Sequence, residues 1–228
     1  MIDPTRERRA RLESAARIVL RPIGNPLPLG FLALAAATTL LSGLHLGWLE
    51  TSDTQDVGLI LIAFVFPLQL VASIFGFLAR DTIAGTAMAV LAGTWLAVGL
   101  VDVTSAPGEP SDALGLLLIV AALALLVQAA ATLGKLVAAA LLLATALYFG
   151  TSAFLELTES GTWEDISGGI GLAVALLGLY AALALELEDA GLGPLPLGRR
   201  GPGARAMRGD LVDQAEGAES EAGVREQL

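Results

Sequence analysis

Asn25-Pro26-Leu27-Pro28-Leu29-Gly30 stands where a basic, polar N-terminus gives way to the first long apolar run. Two prolines two residues apart do not fit a helix interior, because each lacks an N–H and its ring crowds the preceding turn. At a helix start both are tolerated, and Asn25 just ahead of them is a suitable cap. The stretch therefore predicts a rigid helix entry whose free backbone N–H groups point along the axis into the apolar run.

That run is the first of six. The predicted spans cover about Leu27 to Leu49, Val57 to Ala79, Ile83 to Val103, Ala113 to Leu133, Leu136 to Leu155 and Gly168 to Leu187. Each approaches the ~20 residues needed to cross ~30 Å of hydrocarbon. The runs are continuous and do not alternate, which predicts helices and not barrel strands. Composition agrees: 55% of the 228 residues are hydrophobic and 16% are charged, against about a quarter charged in a soluble domain. The mean hydropathy is +0.72. The fold class is an all-α integral membrane protein with six transmembrane helices.

Basic residues give the topology. Every Lys and Arg lies in the N-terminal arm, at Arg80, at Lys135 or after Ala190. The three other loops are acidic, with Glu50, Asp53 and Asp56, then Glu109 and Asp112, then Glu156, Glu159, Glu164 and Asp165. The positive-inside rule places both termini and the two tight turns in the cytoplasm. The chain then divides into a basic cytoplasmic arm over 1–24, a six-helix transmembrane domain over 25–190, and a disordered cytoplasmic tail over 191–228, rich in Gly, Pro, Arg and Glu. The arm reads either as a short amphipathic helix on the membrane surface or as a solvated arm that only fixes topology. The first residues lack the apolar stretch of a cleavable signal, so the first span is expected to direct insertion.

Ionisable groups deep in a span are costly and usually functional. None lies mid-span here: His45 is near the outer end of the first span, and Asp102 and Glu186 are near span ends. No nucleophile–base pair, HExxH, GxSxG or phosphate-binding loop is present, so the reading is not an enzyme. With no cysteine and one histidine, no disulfide framework, metal site or cofactor is expected, and no nucleic-acid partner. Small residues recur at four-residue spacing, as in Gly43 and Gly47, Gly85, Ala89 and Gly93, Gly171 and Ala175, and Gly178 and Ala182. Such faces let helices approach closely, first of all within the monomer.

The opening motif resembles the NPAPLGL signature of the acetate uptake transporter family, the YaaH-type succinate–acetate permeases. The likeness runs from about Gly24 to Ala190. Thr38-Thr39 and Leu44-His45 correspond to a family Thr-Thr and Leu-His, Gln69 to a family glutamine, Asp81 to Ala87 to the family's Asn-Thr-Phe-Gly-x-Thr-Ala, and Trp95 to its tryptophan. The segment from Leu179 through Tyr180 to Ala184 is similar to its aromatic-small pattern. The departures mark a divergent member. The family's Tyr-Gly-Gly is Phe64-Val65-Phe66, a glutamate is Gly76, and the aromatic pore constriction becomes Leu34 (or Ala35), Leu91 and a third position at Leu143 or its neighbour Leu142.

The resemblance implies a multi-pass transporter or channel of the inner (plasma) membrane for small monocarboxylates, acetate first and succinate next, with or without proton coupling. It also implies a homo-oligomer, commonly a hexamer, in the lipid bilayer. The substrate pathway is expected at Asn25, Pro26, Pro28, Gly30, Thr38, Thr39, Gln69, Thr86, Trp95 and Tyr180, with the constriction at Leu34, Leu91 and Leu143. Neutral donors and a helix-end N–H group would hold a small carboxylate weakly enough to release it. Each residue also has a plainer reading: helix start for Asn25 and the prolines, back-bonding to the helix for one of the threonines, packing for Trp95 and Tyr180, helix linking for Gln128, and the outer interface for His45. Two rivals stand beside transport of a carboxylate. One is a channel for a neutral solute such as urea or ammonia, and the other a non-transporting membrane scaffold that recruits partners by its termini.

Overall fold

The computed structural model describes residues 23–200 apart from 159 and 194. Most of the N-terminal arm and the tail beyond residue 200 lie outside the described residues. Among the described residues, six helices are long and apolar enough to cross a membrane: α1 Leu27–His45, α2 Thr51–Leu78, α3 Thr82–Thr104, α4 Asp112–Ala131, α5 Leu136–Thr158 and α6 Gly161–Asp189. At 1.5 Å per residue even α1 reaches about 28 Å.

The helix entry at Asn25 forms with one shift. Pro26 occupies the cap position and Pro28 the first turn, while the Asn25 side-chain oxygen accepts the Leu27 N–H at 3.2 Å. Helix ends differ from the apolar runs because caps, and not hydropathy, set them. α1 stops at His45 because Gly47 turns left-handed (φ 67°), and the Trp48 and Leu49 N–H groups return to the Gly43 carbonyl. α2 begins six residues before Val57, where Glu50 and Asp53 form a capping box. α6 begins seven residues before Gly168, so its polar first two turns stay helical beyond the apolar stretch. The two tight turns sit together at one end, where Lys135 Nζ lies 3.3 Å from Asp81 Oδ2.

Inside α2 the helix widens to a π turn over Leu61–Val65, just before Pro67. Proline has no N–H and clashes with the carbonyl four residues back, and a wide turn relieves both. This resets the face that α2 presents from Pro67 onward, including Gln69.

α1 packs on α6, α2 on α3, α4 on α5, and α5 on α6. Glycines set the closest approaches. A Cβ on Gly99 would lie 2.6 Å from the Gly58 carbonyl, and one on Gly76 would lie 2.9 Å from the Gly85 nitrogen. Ser73 Oγ donates to the Gly85 carbonyl at 2.8 Å across the same α2–α3 seam. Of the small residues at four-residue spacing, Gly85, Gly171 and Gly178 meet neighbouring helices of the same chain, whereas Gly93 faces open space.

The first residues of the segment expected to be a disordered tail lie within the described residues. Residues 195–200 fold back across the helix ends as a strap. Leu136 and Val137 donate their N–H groups to the Gly198 and Leu197 carbonyls, and Arg200 N–H donates to Gly134. Tyr180 Oη donates to the Pro196 carbonyl at 2.9 Å. Arg199 pairs with Glu188 at 2.6 Å, both largely shielded. A composition rich in Gly and Pro does not reveal pairing partners some 60 residues away. Arg199→Ala is expected to cost about 1 kcal/mol locally. It should speed amide exchange at Leu136, Val137 and Arg200 while leaving exchange in the middle of α5 unchanged.

Candidate functional site: a vestibule opposite the termini

At the end of the bundle opposite the strap, the ends of all six helices surround a cavity of about 390 Å³. α1 contributes Leu41 and His45, α2 Thr51 and Thr54, and α3 Trp95, Val98 and Asp102. α4 contributes Leu114 and Leu118, α5 Phe149, Ser152 and Glu156, and α6 Glu164. The spacing explains the convergence. Trp95, Val98 and Asp102 fall three and four apart on one face of α3, and Phe149, Ser152 and Glu156 repeat that pattern on α5.

The floor is aromatic. Trp95 and Phe149 meet edge to face with ring centroids 5.1 Å apart. Continuing those faces away from the vestibule gives Leu91 on α3, Leu142 on α5 and Leu34 on α1, which belong to one buried apolar cluster. The walls are pinned by polar contacts. Ser152 Oγ and Ser167 Oγ lie 2.7 Å apart, joining α5 to α6. Glu156 Oε2 accepts the Ser111 N–H at 2.7 Å, joining α5 to the start of α4. Among the described residues, no group of three or more His, Cys, Asp or Glu side chains is placed to hold a metal.

The predicted pathway residues separate into three places. Trp95 is in the vestibule floor and 0% exposed. Gln69, also 0% exposed, lies towards the strap end; its Nε2 donates to the Gly30 carbonyl at 3.1 Å and its Oε1 has no partner. Gly30 itself is pressed against Met88 and Ala72, so the motif glycine is where α1 crosses α2 and α3. Pro28 is buried and Pro26 half-buried beside it, while Asn25 is exposed. Thr38 and Thr39 both bond back to their own helix, at 2.9 Å to Leu34 and 2.7 Å to Ala35. Thr86 is half-buried. Tyr180 holds the strap and lies away from the vestibule.

Of the three constriction positions, Leu34 and Leu91 are each 1% exposed. Leu143 is 47% exposed on the outer face of α5, whereas its neighbour Leu142, the alternative for that position, is 8% exposed and points inward. One residue is a rotation of 100° on a helix, enough to turn a core side chain out.

His45, Asp102 and Glu156 were not among the predicted pathway residues, yet all three line the cavity. The available signal was the seven-residue step from Trp95 to Asp102, which puts a carboxyl on the face of a buried tryptophan.

The fold is similar to that of the bacterial acetate channel SatP, with a TM-score of 0.69 at 22% sequence identity, covering 77% of this chain and 99% of that one. No curated protein sequence matches the chain. The resemblance read from the motif around Pro26 and Pro28 is matched at the level of the family: the GPR1/FUN34/yaaH model covers residues 10–190, beginning inside the N-terminal arm and taking in all six helices. The chain belongs to the GPR1/FUN34/yaaH family.

Proposed function

We propose that this protein is a membrane transporter or channel that passes small monocarboxylates, acetate first and succinate next, through its helix bundle. The observation that carries the reading is the vestibule, sunk into one end of the bundle and continued on α1, α3 and α5 by Leu34, Leu91 and Leu142. An opening followed by an apolar neck is the layout of a selective pore, where weak contacts let the solute leave again. The fold shared with an acetate channel and the family membership support carboxylate transport over catalysis.

In this reading substrate moves between the vestibule and the Gly30–Gln69 crossing, past the three leucines. Trp95 and Gln69 are its polar contacts, and the prolines and Gly30 shape the crossing. The reading places the vestibule outside and both termini in the cytoplasm of the inner membrane, on the charge of the loops. Because the chain has no cysteine, single cysteines report orientation cleanly. An impermeant thiol reagent added to cells should label Ser52→Cys and not Arg80→Cys, and the reverse pattern would invert the topology. A homo-oligomer of six chains completes the reading and would appear as a hexamer mass in native mass spectrometry.

The test is labelled acetate uptake into liposomes carrying the purified protein, corrected for empty liposomes. Uptake competed by propionate and not by urea is expected. Uptake of urea or ammonia in place of acetate would assign the bundle to a neutral solute. No uptake of any of these by inserted, folded protein would favour the scaffold.

A further inference from the structure

The strap lies outside the region that defines the family. The family model ends at residue 190, and the strap over 195–200 follows it. It is still a built element. The stretch Pro194-Leu195-Pro196-Leu197-Gly198 repeats, residue for residue, the Pro26-Leu27-Pro28-Leu29-Gly30 that opens α1. Each copy ends on a glycine pressed against a neighbouring helix, Gly30 on Met88 and Gly198 on Leu136. Gly198 is left-handed (φ 62°), and a Cβ there would lie 2.8 Å from the Leu136 Cβ. A larger residue would lift the strap off α5.

The strap's bonds fall at the start of α5. α3 and α4 begin on side-chain caps of their own, Asp81 and Ser111. At α5 the N–H groups of Leu136 and Val137 go to the strap carbonyls of Gly198 and Leu197, at 3.2 and 3.4 Å. Tyr180 and Glu188 hold the strap from α6. Beside it, Lys135 reaches Asp81 at the start of α3. The helices tied together here are the ones that shape the neck. Leu142 lies about 9 Å along α5 from Leu136, and Leu91 is on α3. α6 seats Gly178 close to the Phe31 carbonyl of α1, within a turn of Leu34.

The neck is shut in this structure: Leu34, Leu91 and Leu142 are all buried in one apolar cluster. Close-packed side chains leave no room for a solute unless the helices part, and whatever ties the helix ends together opposes that. The tie can break at modest cost. Its backbone groups exchange protein partners for water. Leu197 packs against the core only in part, and Pro196 is exposed. A segment with few buried apolar contacts opens more readily than the helices beneath it. We infer that the strap is a latch: seated on α5 and α6 it holds the leucine neck closed, and its release lets the strap-side helix ends part and solute pass. This rests on the transport reading and adds to it a control carried outside the family's bundle. The motion needs no covalent step.

The experiment locks the latch in the full-length protein. Lys135 and Arg199 face each other as an antiparallel bridge. The bonds on either side, from Leu136 to Gly198 and from Arg200 to Gly134, make them a non-hydrogen-bonded pair. The Cα atoms of such a pair lie about 4.5 Å apart, within the reach of a disulfide. The chain has no cysteine, so Lys135→Cys with Arg199→Cys can form one bridge on oxidation. Labelled acetate uptake into liposomes is read on the same sample, oxidised and then reduced. Oxidation is expected to lower uptake about tenfold or more and reduction to restore it, while the wild type responds to neither. Tyr180→Phe keeps the ring and removes the bond to Pro196. It should raise uptake about fivefold, the factor one lost hydrogen bond gives to a mostly seated strap. This variant decides the question separately if the double cysteine variant does not fold. Equal uptake with the disulfide complete, a disulfide that does not form in folded protein, or no rise with Tyr180→Phe overturns the latch and leaves the transport reading standing. No acetate uptake by the wild type removes both.

Discussion

Gln69→Ala is expected to lower acetate flux at least tenfold in protein that still inserts and folds. Gln69 is wholly buried where α1 crosses α2, and half of its amide is already used. Nε2 holds the Gly30 carbonyl, which keeps the two helices in register, and Oε1 is left free. A buried amide in this state is either strained or waiting for a partner, and in a pathway that partner is the solute. Alanine removes both functions and leaves space behind, so stability should fall by about 2–3 kcal/mol. Gln69→Glu bears on the two roles separately: it keeps the volume and an acceptor but can donate to the Gly30 carbonyl only when protonated. Flux from Gln69→Ala at the wild-type rate would take Gln69 out of the pathway and leave it a helix link.

The second large effect is structural. Gly99→Ala should destabilise the protein by about 2–3 kcal/mol, the range for overpacking a site that cannot relax. The added Cβ would meet the Gly58 carbonyl at 2.6 Å, and a carbonyl fixed in a helix cannot swing away as a flexible side-chain end can. Gly58→Ala should behave alike, since its Cβ would meet the Gly99 carbonyl at 2.9 Å. Gly93→Ala is the control. It lies on the same helix, nothing is within 4 Å of its added Cβ, and alanine favours the helix. Thermal unfolding in detergent should show a lower midpoint for Gly99→Ala and an unchanged or higher one for Gly93→Ala. Equal midpoints would mean that the α2–α3 seam is looser than this geometry.

The six spans were legible in the sequence because continuous apolar runs of membrane length admit few other structures. The helix ends were less legible, since they follow Gly47, the Glu50–Asp53 box and the polar first turns of α6, none of which hydropathy reads. The strap was missed because its bonds join Leu197 to Val137 and Arg199 to Glu188, and tertiary pairing leaves no local pattern. At the site, Trp95 and Gln69 stood out as polar groups within apolar runs, and both are buried. Leu143, the third expected constriction position, lies on the outer face of α5 and its neighbour Leu142 faces inward, because one position on a helix is a change of face. His45, Asp102 and Glu156 each looked ordinary near a span end. Only the meeting of six helix ends makes them walls of one cavity.

The measurement that bears most directly on transport through this bundle is acetate uptake before and after the vestibule is plugged. Ser105 lines the cavity, and with no cysteine elsewhere in the chain, Ser105→Cys can be modified alone by a bulky impermeant thiol reagent. Full modification should abolish protein-dependent acetate uptake into liposomes, with the reagent inert on the wild type and reduction restoring the flux. Undiminished uptake through fully modified protein would show that acetate does not pass by the vestibule, and would contradict the account.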